Sequence, residues 1–305
     1  MSETFTKPLK KIFYFNIIYS CNSRCVFCYS HNTVFGIKNH IAISAKDFIS
    51  YLNEQKISQE DRVIVNGGEP LLHLELGEIL NYLVDVGCEV LIYSNGRLLS
   101  QKAMPNLNKN FRFIIPIHGD EKIHDNITRI RGSFWETVKG LEYLISKQKC
   151  LLDLKFIINN EFVKKIIRGD SFSFLDIFPF NNAVQITKVA DTIVSKQNCY
   201  PSVENGIVAE VCSALFKEFF VKEVPIKIYD TCVKEIHWLR ERKIKSYSRD
   251  IVVYFKDKNS WRQIELSQGI KSCMSSCEMR DYCISAVNQY KVLEIMNNCV
   301  YEELE

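Results

Sequence analysis

The stretch Phe13-Tyr-Phe-Asn-Ile-Ile-Tyr-Ser-Cys21-Asn-Ser-Arg-Cys25-Val-Phe-Cys28 decides the fold. Its first half, Phe13 to Tyr19, is a short apolar, aromatic-rich run of strand character. Its second half sets three cysteines on the loop that follows. Parallel α/β folds gather their chemistry on loops at the C-terminal ends of strands, and this segment has that layout.

The same alternation continues outward. Ser44 is placed to cap a helix through about Asn53, and Arg62 to Val65 reads as a strand running into the turn Asn66-Gly67-Gly68-Glu69-Pro70. A helix is expected over Leu74 to Val86, then a strand from Glu89 to Tyr93 closed by Ser94-Asn95-Gly96. Phe111 to Ile117 follows, closed by His118-Gly119, with Asp120, His124, Asp125, Arg129 and Arg131 on a polar loop. Ser133 with Glu136 three residues on predicts a capping box for a helix to about Lys147. Leu152 to Ile158 and Ala183 to Thr187 complete six strand candidates, with a short helix after Asn159-Asn160. Strand, loop and helix in repeated order predict an α/β fold with a mostly parallel sheet. Beyond about residue 195 the rhythm breaks. Strand candidates at Ile226 to Tyr229, Ile251 to Phe255 and Trp261 to Ile264, the last two a hairpin, precede a helix from about Glu278 to Met296. Two units are expected, residues 1–195 and a small cysteine-rich α+β module over 196–305.

Composition narrows the partners. A chain of 305 residues with 47% hydrophobic content can bury one large core and a small appendage. The formal net charge of +3 is too weak for the basic footprint of a nucleic-acid binder. No apolar run reaches the roughly 18 residues a membrane helix needs. No cleavable signal is visible, so a cytoplasmic setting is expected. There, twelve cysteines favour metal ligation over disulfides. Cys88 and Cys150, each alone among apolar neighbours, read as buried core residues.

Cys21, Cys25 and Cys28 are close enough in sequence to converge on one centre. Zinc is one reading, with His31 as a fourth ligand. An iron–sulfur cluster held by three protein thiolates, with one iron left open, is the other. The spacing Cys-x3-Cys-x2-Cys with Phe27 before the third cysteine resembles the radical S-adenosylmethionine (SAM) superfamily. Asn66-Gly67-Gly68-Glu69-Pro70 at the end of the second strand is similar to that family's GGE motif. The resemblance spans about Phe13 to Lys188 and implies a partial (β/α)6 TIM-like barrel, a [4Fe-4S] cluster on the three cysteines, and SAM on the open iron. It implies that Glu69, with Gly67 and Gly68, meets the methionyl amine. Phe27 and Tyr29 would meet adenine, Ser94 and Asn95 would line the SAM pocket, and His118 would approach the ribose. Lys155 would pair with the SAM carboxylate, with Asn159 an alternative contact.

A second group, Cys273, Cys277 and Cys283, needs a fourth thiol, for which Cys232 stands first and Cys212, Cys199 and Cys299 follow. The group resembles the SPASM or twitch extension, which carries an auxiliary [4Fe-4S] cluster. Two ligand sets stay open: Cys232 with the late triad, or Cys199 and Cys212 with two late cysteines. Zinc is the rival metal. Gly206 stands one residue farther from Cys212 than that extension's pattern has it. A thiol left unligated near SAM, Cys212, is the candidate to return a hydrogen atom to a substrate radical.

Enzymes with this extension are often maturases of ribosomally made peptides, which implies a precursor peptide as substrate and a flavodoxin- or ferredoxin-like electron donor. The basic, aromatic stretch Lys234 to Arg249 is a candidate surface for an acidic leader. About a dozen residues precede the first strand, so leader recognition is expected to be internal or supplied by a separate leader-binding protein. A radical enzyme acting on a small molecule or RNA, and a non-enzymatic cluster-binding protein, are the alternatives.

Overall fold

The computed structural model describes residues 11–28, 42–168, 173–180 and 182–189, scattered positions from 203 to 215, and strand segments at 226–228, 251–256 and 261–266. Seven parallel strands lie in sequence order: β1 (Ile12–Ile18), β2 (Arg62–Gly67), β3 (Glu89–Tyr93), β4 (Phe111–Ile117), β5 (Leu151–Ile158), β6 (Val184–Lys188) and β7 (Ile226–Ile228). Helices α1 (Ala45–Glu54), α2 (Leu76–Val86), α3 (Glu121–Thr128), α4 (Ser133–Lys147) and α5 (Asn160–Ile167) occupy the crossovers after β1, β2, β4 and β5, while turns alone join β3 to β4. Repeated parallel pairing without a jump in strand order curls the sheet into a partial TIM-like barrel. Ile226–Ile228, which the sequence reading assigned to the second module, pairs in parallel with β6. β8 (Ile251–Lys256) and β9 (Trp261–Leu266) form the expected antiparallel hairpin.

Strand alternation sorts the two faces. On β1, Phe13, Phe15 and Ile17 are fully buried toward the helices, and Phe15 packs 4.6 Å from Phe48 of α1. A buried side chain of this size contributes about 1.5–3 kcal/mol. Tyr14 and Asn16 alternate to the other face, where the Asn66 amide donates to the Tyr14 hydroxyl. Cys88 and Cys150 are buried, as expected. Among the described residues no helix is long and apolar enough to cross a membrane.

Three local expectations are corrected. The helix foreseen from Leu74 begins at Leu76, because Pro70 first closes a 3-10 turn (Pro70–Leu72) and the Glu75 amide turns back to His73 Nδ1. The polar loop after β4 is α3, with Asp120 accepting from the Ile123 amide as its N-cap. Ser133 does not cap α4. Gly132 occupies the N-cap with φ 82°, and the cap comes from another helix: Asp125 accepts from the Gly132 amide at 2.5 Å and from Ser133 Oγ and the Phe134 amide at 2.9 Å. Glu136 is thereby released from a capping box and pairs with Arg97.

Candidate active site

The cysteine loop leaves β1 and is held from three sides. Beneath it runs the β2 turn. Gly68 N donates to Ile18 O and Glu69 N to Ser20 O, both at 2.8 Å. The approach is so close that a Cβ on Gly68 would stand 2.1 Å from Ser20 O, and one on Gly67, at φ +142°, 2.2 Å from Ile18 O. The two glycines therefore seat β1 and the loop root against the β2 turn. Beside the loop lies the C-terminal end of α3, whose last carbonyls lack helical partners. Arg24 N donates to Thr128 O at 3.0 Å and Val26 N to Ile127 O at 2.9 Å. On the third side the β3 turn reaches over: Asn95 Nδ2 donates to Asn22 Oδ1 at 2.7 Å, and Arg97 Nη1 to Asn22 O at 2.5 Å.

Cys21, Cys25 and Cys28 all stay partly exposed on this loop. Burial chiefly, and then nearby negative charge, pushes the Cys21 thiol up to about 12 and the Cys25 thiol well above its ordinary value. Cys28 contributes to both shifts, so the three sulfurs sense one another's charge. Crowded thiols held neutral become thiolates when a cationic centre compensates them, and loading then releases protons. Among the described residues no three Cys, His, Asp or Glu side chains are drawn together as a single-ion site. The three soft donors on one anchored loop fit an iron–sulfur cluster, whose ligand sulfurs stand farther apart than those around one ion.

Glu69 has no exposed surface. Its Oε1 accepts from Leu71 N at 3.0 Å and Ser94 Oγ at 2.7 Å, and its Oε2 from Asn95 N at 2.8 Å. Burial raises its pKa, while these bonds and Arg97 oppose the rise. Sequence reasoning aimed this carboxylate at an ammonium group. Here it ties the β2 and β3 turns together, and the half-buried backbone of Gly67 and Gly68 is the part of the motif facing outward. Asn159 is likewise engaged. It caps α5 through Phe162 N at 3.0 Å and donates to His118 O at 2.8 Å, joining the ends of β4 and β5.

His118 ends β4. Its ring meets Phe27 edge-on at 5.3 Å and lies 5.1 Å from His124, which in turn abuts Phe134. Both histidines are buried, and neither Nδ1 has a hydrogen-bond partner among the described residues. Burial pushes His118 well below its ordinary pKa; it pushes His124 down to about 4, against the opposing charge of Asp125. Half-buried Lys155 on β5 sets its Nζ 5.5 Å from the centre of the Tyr93 ring. The outer side of α3 and the turn after it line an open groove of about 820 Å³, with Lys122, Arg129 and Arg131 set among Asp120, Glu121 and Asp125. Arg129 lies in the left-handed region at φ 56°, which non-glycine residues seldom adopt. Lys165 holds Asp120, and Asp125 is committed to the α4 cap.

The structure thus brings together Phe27, the Gly67–Glu69 turn, Ser94, Asn95 and the three cysteines, with His118 at the adjoining end of β4. Tyr29, His31, Cys199, Cys212, Cys232, Cys273, Cys277, Cys283, Cys299 and Lys234 to Arg249 lie outside the described residues. Sequence reasoning missed Arg97, Asn22 and Ser23. The available signal was that Arg97 directly follows the Ser94-Asn95-Gly96 turn.

Residues 15–171 match the model of the Radical SAM superfamily. The Fe-coproporphyrin III synthase of Methanosarcina barkeri is 23% identical over 164 residues, which cover 53% of this chain and 40% of that protein. The chain thus spans well under two thirds of that curated relative. Among solved structures, anSMEcpe with bound AdoMet superposes with a TM-score of 0.59 at 13% identity, over 98% of this chain and 96% of that one. Streptococcus suis SuiB bound to precursor peptide SuiA gives a TM-score of 0.51 at 13% identity, over 77% of this chain and 52% of that one. At these identities the two structures share the fold with this chain.

Proposed function

The chain belongs to the radical SAM superfamily, and we propose that within it this protein is a maturase that abstracts a hydrogen atom from a ribosomally synthesised peptide, to cross-link or epimerise it. When bound, a [4Fe-4S] cluster and SAM supply the 5′-deoxyadenosyl radical that such an abstraction uses. Cys21, Cys25 and Cys28 hold the cluster. The backbone at Gly67 and Gly68 and the Ser94-Asn95 turn border the SAM site, with Phe27 and His118 as its apolar and imidazole walls. Lys155 and Asn159 stand at the far side, the first as partner to a carboxylate and the second as the tie that holds the His118 carbonyl.

The observation that carries the reading is the cysteine loop docked on α3, with the charged groove on that same helix. The groove is open to solvent and lined mostly by charged residues, unlike the enclosed, mainly apolar pockets that small molecules favour, and this supports an extended chain entering from solvent. SuiB, of the same fold, binds a precursor peptide, which supports a peptide for this chain. The reading includes an auxiliary cluster or zinc site on Cys273, Cys277 and Cys283 with Cys232, and Cys212 as hydrogen donor. It also includes a flavodoxin- or ferredoxin-like electron donor and leader recognition that is internal or supplied by a separate leader-binding protein. A small-molecule substrate is the second reading, favoured by the likeness to an Fe-coproporphyrin III synthase.

Anaerobic reconstitution with iron and sulfide, followed by iron counting and a 5′-deoxyadenosine assay, tests both. About eight irons per chain are expected if two [4Fe-4S] clusters form, and about four if only one does. Release of 5′-deoxyadenosine stimulated by a short peptide encoded beside this gene is the expected result. Release of 5′-deoxyadenosine that this peptide leaves unchanged sinks the peptide reading.

A further inference from the structure

Arg97 stands where the β3 turn, the cysteine loop and α4 meet, and its side chain is 10% exposed. One edge of its guanidinium faces outward, with Nε donating to Glu136 Oε2 at 2.6 Å. The other edge faces the loop, with Nη1 donating to Asn22 O at 2.5 Å and to Ser23 Oγ at 3.2 Å. Its own backbone amide is held by Asn95 Oδ1 at 3.1 Å, and Asn95 reaches the same Asn22 through its side chain. The two residues between Cys21 and Cys25 nearest the first thiol are therefore gripped from one turn. Glu136 is 48% exposed, so water and salt screen its charge. The guanidinium, by contrast, lies against Asn22 and Ser23, the two residues that follow Cys21, with only 10% of its side chain exposed, so its charge beside the thiol loop is screened less.

We propose that Arg97 is a positioning residue for the iron–sulfur centre: it fixes the loop that carries Cys21 and Cys25 through the Asn22 carbonyl, and its inward-facing charge raises the cluster's reduction potential. The inference rests on family membership and not on the peptide reading. Reduction adds one negative charge to a cluster already surrounded by thiolates. A fixed cation nearby favours that added charge, as net charge and hydrogen bonding near the sulfurs tune such potentials. The planar fork matters as well as the charge, because a lysine ammonium cannot span Glu136 and Asn22 in the same way.

The test uses the full chain reconstituted anaerobically. The midpoint potential is read by a redox titration of the cluster signal that responds to added SAM, and iron loss to a chelator is timed in parallel. Arg97→Gln is expected to shift the midpoint to more negative values and to lose iron about 10- to 100-fold faster than the wild type. Arg97→Lys is expected to keep a midpoint near the wild type while still losing iron faster, which separates charge from grip. Glu136→Gln removes the opposing charge and is expected to leave the midpoint at or above the wild-type value. Equal midpoints for Arg97→Gln and wild type overturn the proposal even if iron is lost faster, since a merely structural contact explains that much. If Arg97→Gln does not fold, Arg97→Met is read in its place. A Glu136→Gln midpoint below wild type also overturns the proposal. None of these readouts uses a substrate, so failure here is distinct from failure of the peptide reading.

Discussion

Glu69→Ala is expected to destabilise the protein by about 3–5 kcal/mol, because it strands buried donors on two separate turns. The carboxylate accepts from Leu71 N, Ser94 Oγ and Asn95 N, and it is wholly buried. Ser94 can redirect its hydroxyl, but the two backbone amides cannot find another acceptor without moving the turns. Each buried donor left without a partner costs about 1–3 kcal/mol. Against a total stability of about 5–15 kcal/mol this is a large fraction. Glu69→Gln keeps one acceptor oxygen but turns an amide NH2 toward a donor, so it is expected to recover part of the loss. Urea unfolding of the apo chain measures both. A Glu69→Ala protein as stable as the wild type would show that the carboxylate is not the tie between the β2 and β3 turns.

Acidification from pH 7 to pH 5 is expected to cost about 2 kcal/mol through His124 alone. Its folded pKa of about 4 lies below its unfolded value of 6.5. A group depressed in this way contributes stability that is complete above the unfolded pKa and is lost as the pH falls toward the folded one. The window is therefore about pH 6.5 to 4, and His118, pushed down by burial and by His124, adds to the loss in the same direction. Glu69 runs the other way. Its raised pKa makes its contribution more favourable as the pH falls. Asp125, whose pKa is lowered, keeps its cap through most of this window and loses it only in stronger acid. His124→Leu fills the same site without a titrating group. Its stability is expected to fall less between pH 7 and pH 5 than that of the wild type. Parallel stability curves for the two proteins would show that His124 is not held neutral by burial.

The strand order and the cysteine loop were legible because their signals are local. A strand of β-branched and aromatic residues, a turn rich in Gly and Asn, and three thiols in one loop each state their chemistry within a few residues. The polar residues after the strands were legible as a set, and the ties they make to neighbouring turns were not. Glu69, Asn95 and Asn159 carry the groups a ligand would want, and those same groups satisfy the backbone of neighbouring turns. Sequence offers no means to tell a carboxylate facing a cofactor from one facing an amide. The Ser133 and Glu136 pair failed as a capping box for a related reason. Asp125, eight residues upstream of Ser133, is delivered to the same amides by the packing of α3 against α4, and a tertiary cap displaced the local one.

By itself, then, the sequence determined the α/β alternation, the place of the thiol loop after the first strand, and the core cysteines. Each of these follows from periodicity and from residue chemistry at short range. The tertiary structure decided what holds the loop in place: the glycines against Ser20 and Ile18, the α3 carbonyls against Arg24 and Val26, and Arg97 against Asn22. Those contacts join segments about 50 to 100 residues apart in the chain. They exist because the parallel sheet sets strand ends beside one another, an adjacency that no local pattern encodes.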